Sequence, residues 1–431
     1  MPKVARELVE AKENLKCCKE IFLCHGFFED HGGKLREFVA LFDKVVDSRI
    51  KAMCKYDTKT IVVIVFLALF DERTTWKEIE DFAGDHKDFL KEYVNLDAGI
   101  PSHDTFMRVF SLIDSSTLQD TIVNFITQVL SDTINAVNAK SDKPAIIAID
   151  GKEERGSGRK LNTDEKHRNT QILHVFNVST EHCISSKLIS SKSNEIPAAQ
   201  IILHSINVEG SIVTTDAMNT QKETVKAIRD GKGHYTLALK KNHNNLYEVS
   251  EEYFKKNESR IKNTKDYYKM ETEKSHSQIE TREFFRMPTN ELYSADEWED
   301  IESIVMYKKT IENISTNEVK VEKRYYISDL KDVELIADAI RAHWGVENKL
   351  HWHLDVNFLE DANSTMDRRA LYNLSMLNKA VLNIIKLMAP LFRNGSIKRT
   401  LKSFRSHYEE NIQKMFKFLD GKEISKIIKN K

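Results

Sequence analysis

Proline and glycine are scarce in this chain of 431 residues, which has 6 of the first and 14 of the second. That scarcity excludes collagen-like, linker-rich and low-complexity architectures and favours long helices. The five cysteines (Cys17, Cys18, Cys24, Cys54 and Cys183) are odd in number and show no C-x-x-C spacing. This argues against a disulfide framework and against a cysteine-type zinc site. Long hydrophobic runs are missing as well. The longest, Ile61 to Phe70, has about half the length that spans a bilayer, so it reads as a buried core helix. The stretch MPKVARELVEAKENLK has no apolar signal-peptide core. These absences predict a soluble cytoplasmic protein.

An excess of either charge is also absent, for the net charge is −1. Its distribution is uneven. From Lys386 to Lys431 there are twelve Lys/Arg against four Asp/Glu, or +8, which leaves −9 on the remaining 385 residues. A basic tail on an acidic body predicts a nucleic-acid contact at one end, although a solvated amphipathic helix would carry the same charges. What is present is a globular composition, 41% hydrophobic and 30% charged, with length enough for about three domains and a large core.

Residues 1 to about 140 read as helical. Trp76, Ile79, Phe82 and Phe89 recur near helical spacing, and after the Pro101–Ser102 turn a helix carries Phe106, Val109, Phe110 and Ile113. At Pro144 the texture changes to short β-branched runs, and the order to about residue 242 is β-β-β-α-β-α-β. A basic loop, KEERGSGRKLNTDEKHRNT, follows the first strand. From 243 to 330 a helix and two alternating hairpin-like stretches predict an inserted antiparallel sheet. Helices resume from 331 to 390 and lead into the basic tail at 391–431.

Asp150 and Asp216 each follow four or five apolar or β-branched residues. Both are therefore expected where a buried strand emerges at the carboxyl edge of the sheet, the edge at which open α/β sheets bind ligands. One such Asp is an ordinary turn starter or cap. Two converging carboxylates repel each other unless they share a cation, and a hard divalent ion such as Mg²⁺ suits oxygen ligands. A two-metal site needs a further carboxylate. Glu347 is the candidate, in the apolar run IRAHWGVENKLHWHLDVNFLED, where His343, Glu347, His351 and Asp355 recur every four residues on one helix face. Glu360 and Asp361 are rivals near a helix end. Trp344 and Trp352 fit core packing better than base stacking.

The ordered blocks IAIDGK…RGS, KSNEIPAA, TTDAMNTQ, LALKKN, EKSHSQIETR and RAHWGVENKLHWHLDVNFLED resemble the DDE-type transposases of a bacterial insertion-sequence family that includes the H-repeat-associated proteins. The segment DSR…TTWKEIEDFA…GIPSHDTFMRVFSLID resembles the helical domain that precedes their catalytic core. The resemblance covers roughly residues 40 to 385. It implies an α/β RNase H-like core with an inserted antiparallel β subdomain, preceded by an all-α amino-terminal domain. It also implies metal-dependent phosphodiester cleavage and strand transfer at the ends of an insertion sequence. Asp150, Asp216 and Glu347 would then be the catalytic acids and the ligands of Mg²⁺ or Mn²⁺. The implied partner is double-stranded DNA, the inverted-repeat ends and the target, engaged by a homodimer in a nucleoid-associated complex. Lys240, Lys241, Lys274, Arg282 and His343 are expected to face DNA, and Arg108 to lie on a DNA-reading helix. Two departures stand out. The wider group's Tyr-Arg-Glu-Lys signature has Ile340, His343 and Leu354 in place of Tyr, Arg and Lys, and KSHSQIETR carries Ser275, Ser277 and Gln278 where Gly, Gly and Arg are usual.

Two other readings compete. A catalytically impaired, transposase-derived DNA-binding protein would account for Gln278. A zinc hydrolase would use His343, Glu347, His351 and His353, but it would leave Asp150 and Asp216 unexplained.

Overall fold

The structure, a computed structural model, describes residues 39–124, 143–160, 166–167, 169–190, 195–275, 277–291 and 298–388. The basic tail expected at 391–431 lies outside the described residues, as do the two ends of the segment expected to be helical from 1 to 140.

Helices dominate residues 39–124. α1 (Thr58–Phe70) starts at Asp57, whose carboxylate accepts from the Thr60 backbone N–H, and it is buried from Thr60 to Phe70. A helix apolar on every side belongs inside a core. α2 (Trp76–Asp85) opens with a reciprocal capping box between Thr75 and Glu78. α3 (His103–Leu112) buries Phe106, Val109 and Phe110, which leaves Arg108 exposed on the opposite side.

Nine strands form one sheet, in the order β5-β4-β1-β6-β7-β11-β10-β9-β8. Its first half comprises β1 (Ile146–Glu154), β4 (Thr170–Asn177), β5 (His182–Leu188), β6 (Ile212–Thr215) and β7 (His234–Leu239), with α4 (Glu195–Leu203) before β6 and α5 (Lys222–Asp230) after it. A two-stranded ribbon, β2 (Arg159–Lys160) with β3 (Lys166–His167), occupies part of the basic loop. β6 runs parallel to both β1 and β7, whereas β4 is antiparallel to β1.

After α6 (Asn244–Lys262) come β8 (Tyr268–Ser275), β9 (Gln278–Pro288), β10 (Ser303–Asn313) and β11 (Val319–Ser328), all antiparallel. They were expected to form an inserted sheet of their own. Instead they prolong the core sheet, because Tyr325 to Ser328 of β11 pairs with Leu239 to Thr236 of β7. Burial explains the join: Glu283–Met287, Ser303–Tyr307 and Tyr325–Ser328 are buried, while the other halves of these strands are half-buried or exposed.

Alternation along the strands assigns the two faces. Ile147, Ile149, Leu173 and Val175 join α4, α5 and α6 in one apolar cluster. Ala148, Ile172 and Phe176 turn the other way, onto a cluster that includes the amino-terminal helices and α9 (Arg368–Met388). α7 (Val333–His343) packs on Ile212, Tyr307 and Tyr326. Asp150, Lys152 and Glu154 follow Ala148 at steps of two and so share its face. No described helix is long and apolar enough to cross a membrane.

Candidate active site

β1 does not end at Asp150, as the sequence pattern predicted. It continues to Glu154 because antiparallel β4 keeps pairing with it, from Asp150↔His174 to Glu154↔Thr170. Parallel β6 stops earlier, at Thr215 opposite Ile149. Asp150 and Asp216 thus follow the last pair of the parallel register and stand side by side where that pairing ends.

Burial pushes the Asp150 carboxyl up to about 7, with help from the negative charges of Asp216, Glu195 and Glu347 in that order. Asp216 and Glu347 therefore each lie within electrostatic reach of Asp150. Among the described residues no three His, Cys, Asp or Glu side chains are close enough to share one ion, so Asp150, Asp216 and Glu347 do not form a preassembled three-ligand site. Their chemistry still fits a hard divalent cation: all four are carboxylates, and a cation would offset the burial and the repulsion that push the Asp150 pKa up.

Glu195 is a functional candidate that the sequence reading missed. It opens α4, where an acidic residue looks like an ordinary first-turn charge. Burial, then Asp216, raises its pKa, against a hydrogen bond from Asn219. The Asn219 side-chain amide donates to Asp216 Oδ1 (3.0 Å) and to Glu195 Oε2 (3.2 Å), and its backbone N–H also donates to Asp216 Oδ1 (3.1 Å). Two signals pointed this way, Asn219 within TTDAMNTQ and Gly151 directly after Asp150. A Cβ at Gly151 would clash with the Glu195 carboxylate. Gly151→Ala is expected to fold, because the carboxylate can swing away, with a melting temperature close to that of the wild type. It should lose most of the DNA cleavage that the resemblance implies, by displacing Glu195. A melting curve and a nicking assay on the same preparation check this, and intact cleavage would remove Glu195 from the site.

Glu347 was expected half-buried in a regular helix. It is exposed, and it begins a π-helical turn, Glu347–His351, between α7 and α8 (Trp352–Asn357). In an α-helix a spacing of four drifts by about 40° per step. The wider π turn rotates back against that drift, so the stripe stays on the sheet. His343 Nδ1 lies 3.0 Å from Thr214 Oγ1, His351 Nδ1 lies 3.8 Å from Asp150 Oδ2, and Asp355 Oδ1 lies 2.9 Å from Lys152 Nζ. Burial pushes both imidazoles down to about 4, so they are neutral. Trp344 packs against Tyr307, under the Arg324 guanidinium. Trp352, expected in the core, is 53% exposed, because it points away from the sheet.

Lys152, assigned by sequence to a basic loop, is buried in β1. Its ammonium lies 3.0 Å from Glu154, 2.9 Å from Asp355, 3.6 Å from Glu360 and 3.5 Å from Asp361. Burial opposes its charge, but Glu360, Glu154 and Asp355 outweigh burial and hold its pKa above the ordinary value. Burial and Glu360 push the Glu154 carboxyl up against the pull of Lys152, whereas Lys152 and Lys379 overcome the burial of Glu360 and hold its pKa down. Glu360 is thus a buried counter-charge rather than an ordinary helix-end acid.

The expected DNA-facing residues divide into two groups. Lys240, Lys241, Lys274 and Arg108 are exposed. Lys240 and Lys241 follow β7, in a loop tied to the residue after Asp216 by the Asn242 Nδ2–Ala217 O bond of 2.9 Å. Arg282 and His343 are engaged within the protein. Arg282 is ion-paired with Glu273 and Glu280 across the hairpin, and His343 is neutral and bonded to Thr214. The zinc reading would have to use the remaining ring nitrogen of each histidine. His343 and His351 spend ring nitrogens on Thr214 and His174, and His353 Nδ1 is bonded to Asn357.

Residues 141–384 match the family described as Transposase DDE domain, and residues 39–126 match the one described as DDE_Tnp_1-associated. The chain is similar to "Putative protein YbfL" of Escherichia coli strain K12, with 34% identity over 76% of this chain and 84% of the relative. It is also similar to "H repeat-associated putative transposase YhhI" of the same organism, with 33% identity over 76% of this chain and 84% of the relative. Among solved structures it aligns with piggyBac transposase in a synaptic complex with hairpin DNA, at 11% identity and a TM-score of 0.40, over 96% of this chain and 84% of that one.

Proposed function

The chain belongs to the transposase DDE domain family, and from that premise we propose that it cuts and joins DNA at the ends of an insertion sequence, with Asp150, Asp216 and Glu347 as its catalytic and metal-binding acids. The observation that carries this reading is the juxtaposition of Asp150 and Asp216 at the end of the parallel β1–β6 register, with Glu347 in electrostatic reach. Bound there, Mg²⁺ or Mn²⁺ would supply the Lewis acidity and charge neutralisation that in-line displacement at phosphorus needs. The protein's own groups position and hold. Asn219 orients Asp216 by two hydrogen bonds. Lys240 and Lys241, at the same sheet edge, are placed to take backbone phosphates next to the scissile one, and Lys274 and Arg108 to take more distant contacts.

On this reading the core is RNase H-like and divides as 141–242 and 331–390 around the β-rich segment 243–330. Residues 1–140 and the tail 391–431 would then engage DNA outside the site. A homodimer would pair the two ends of the element in the cytoplasm. The test is a nicking assay on a duplex carrying the element's own ends. Cleavage is expected with Mg²⁺ or Mn²⁺ and none in EDTA. A second reading, a DNA-binding protein with impaired catalysis, is favoured by Gln278 at an exposed position and by Arg282 being neutralised within its own hairpin. Specific end binding without nicking under either metal would select it.

A further inference from the structure

A chain of buried side chains runs from α9 through the sheet to Asp150. Lys379 Nζ lies 3.4 Å from His174 Nε2, His174 Nδ1 lies 2.9 Å from His351 Nε2, and His351 Nδ1 lies 3.8 Å from Asp150 Oδ2. Lys379 also donates to Ser375 Oγ at 2.9 Å. Both Lys379 and His174 are buried.

The direction of this chain follows from donor chemistry. Burial lowers the Lys379 pKa and Glu360 opposes that shift; as an ammonium Lys379 can only donate, so His174 Nε2 is the acceptor. A neutral imidazole carries one N–H, so the His174 proton sits on Nδ1 and is donated to His351 Nε2. His351, accepting at Nε2, must then carry its proton on Nδ1, the atom that faces Asp150. One cation on α9 thereby sets two tautomers in succession. We propose that Lys379, His174 and His351 form a one-way donor chain that presents the His351 Nδ1–H to Asp150 and makes His351 a positioning residue for that carboxylate.

The proposal rests on the reading of Asp150 as a metal-binding acid. At 3.8 Å the last contact is longer than a hydrogen bond, so the donor chain is complete only once that contact shortens on metal binding. A fixed N–H leaves one carboxylate oxygen directed at the metal position, which is how outer hydrogen bonds orient metal ligands. It also makes His351 unable to ligate through either nitrogen.

Two measurements test this. The first is the tautomeric state of His351 and His174 in metal-free wild-type protein, by nitrogen-detected NMR on ¹⁵N-histidine-labelled samples. Both rings are expected neutral with the proton on Nδ1. A proton on Nε2 of His351, or a charged ring, overturns the proposal, and no variant has to fold for that result. The second is Mn²⁺ affinity by electron paramagnetic resonance of the free ion. His351→Asn keeps a donor near the Nδ1 position, whereas His351→Gln places its amide near Nε2. Asn should bind Mn²⁺ within about threefold of wild type, and Gln should weaken binding by about 10–100-fold. Equal affinities of the two variants overturn the proposal. Asp150→Asn is the control. If it leaves Mn²⁺ affinity unchanged, the reading of Asp150 as a ligand fails; if it abolishes binding while Gln does not weaken it, only the donor chain fails.

Discussion

Asp150→Asn should abolish DNA cleavage and at the same time make the metal-free protein more stable. The two effects have one origin. With its carboxyl pushed up to about 7 from an ordinary 3.8 by burial and by Asp216, Glu195 and Glu347, Asp150 is ionised at pH 8 only against the preference of the fold. Below pH 4 the group is neutral in both states and costs nothing. Between about pH 4 and 7 the unfolded chain ionises first, so stability falls as pH rises, and above 7 the full penalty applies. Three pKa units correspond to about 4 kcal/mol as an upper bound. Asn removes the charge at nearly constant shape, and a gain on the order of 2 kcal/mol at pH 8, shrinking towards pH 4, is expected in urea unfolding with EDTA present. Mg²⁺ should stabilise the wild type by mass action and leave the Asn variant unmoved. Cleavage should fall by about 10³-fold or more, since the charge stabilisation lost is several kcal/mol and each 1.4 kcal/mol is tenfold in rate. Asp216→Asn and Glu347→Gln should lose cleavage equally. An Asn variant at Asp150 that is less stable than wild type at pH 8 would make Asp150 a structural acid.

Sequence carried the local parts of this architecture further than the long-range ones. Apolar and β-branched runs ahead of Asp150 and Asp216 announced their strands, and alternation in residues 268–328 announced the hairpins, because both signals lie within one element. The pairing of β11 with β7 joins residues about ninety positions apart, and no local pattern records it. Glu195 was hidden because a helix-opening Glu is ordinary until Gly151 is seen to leave room for it. The π turn at Glu347–His351 has no sequence mark, yet it turns Glu347 outward and still keeps His351 on Asp150. Lys152 was misread for a related reason. It opens a run of charged residues that looks solvated, and only the continued pairing of β1 with β4 carries it into the interior.

Lys152 should be the most sensitive position for folding outside the apolar core. Lys152→Met removes the cation that faces Glu154, Asp355, Glu360 and Asp361. Two of these acids, Glu154 and Glu360, are buried. Replacing an entire buried ion pair by apolar groups is often neutral, but removing one partner leaves uncompensated charge in a medium that solvates it poorly. The cost is about 3–5 kcal/mol. Burial and Glu360 already push the Glu154 carboxyl up, so most of the cost falls on Glu360, which would keep only Lys379 and the hydrogen bonds from Asn378 and Ser375 to support its charge. Adding Glu360→Gln to Lys152→Met should therefore recover stability, and the two changes should be strongly non-additive in urea unfolding. The deficit of the single variant should also narrow as pH falls towards 4, where the orphaned acids can take up protons. Asp355 adjoins the helix that bears Glu347, and Lys152 lies two residues beyond Asp150 on the same face of β1. The pair thus fastens the third acid's helix to the strand of the first. A Lys152→Met protein that unfolds at wild-type urea concentrations would show that α7 and α8 are held to the sheet by their apolar contacts alone.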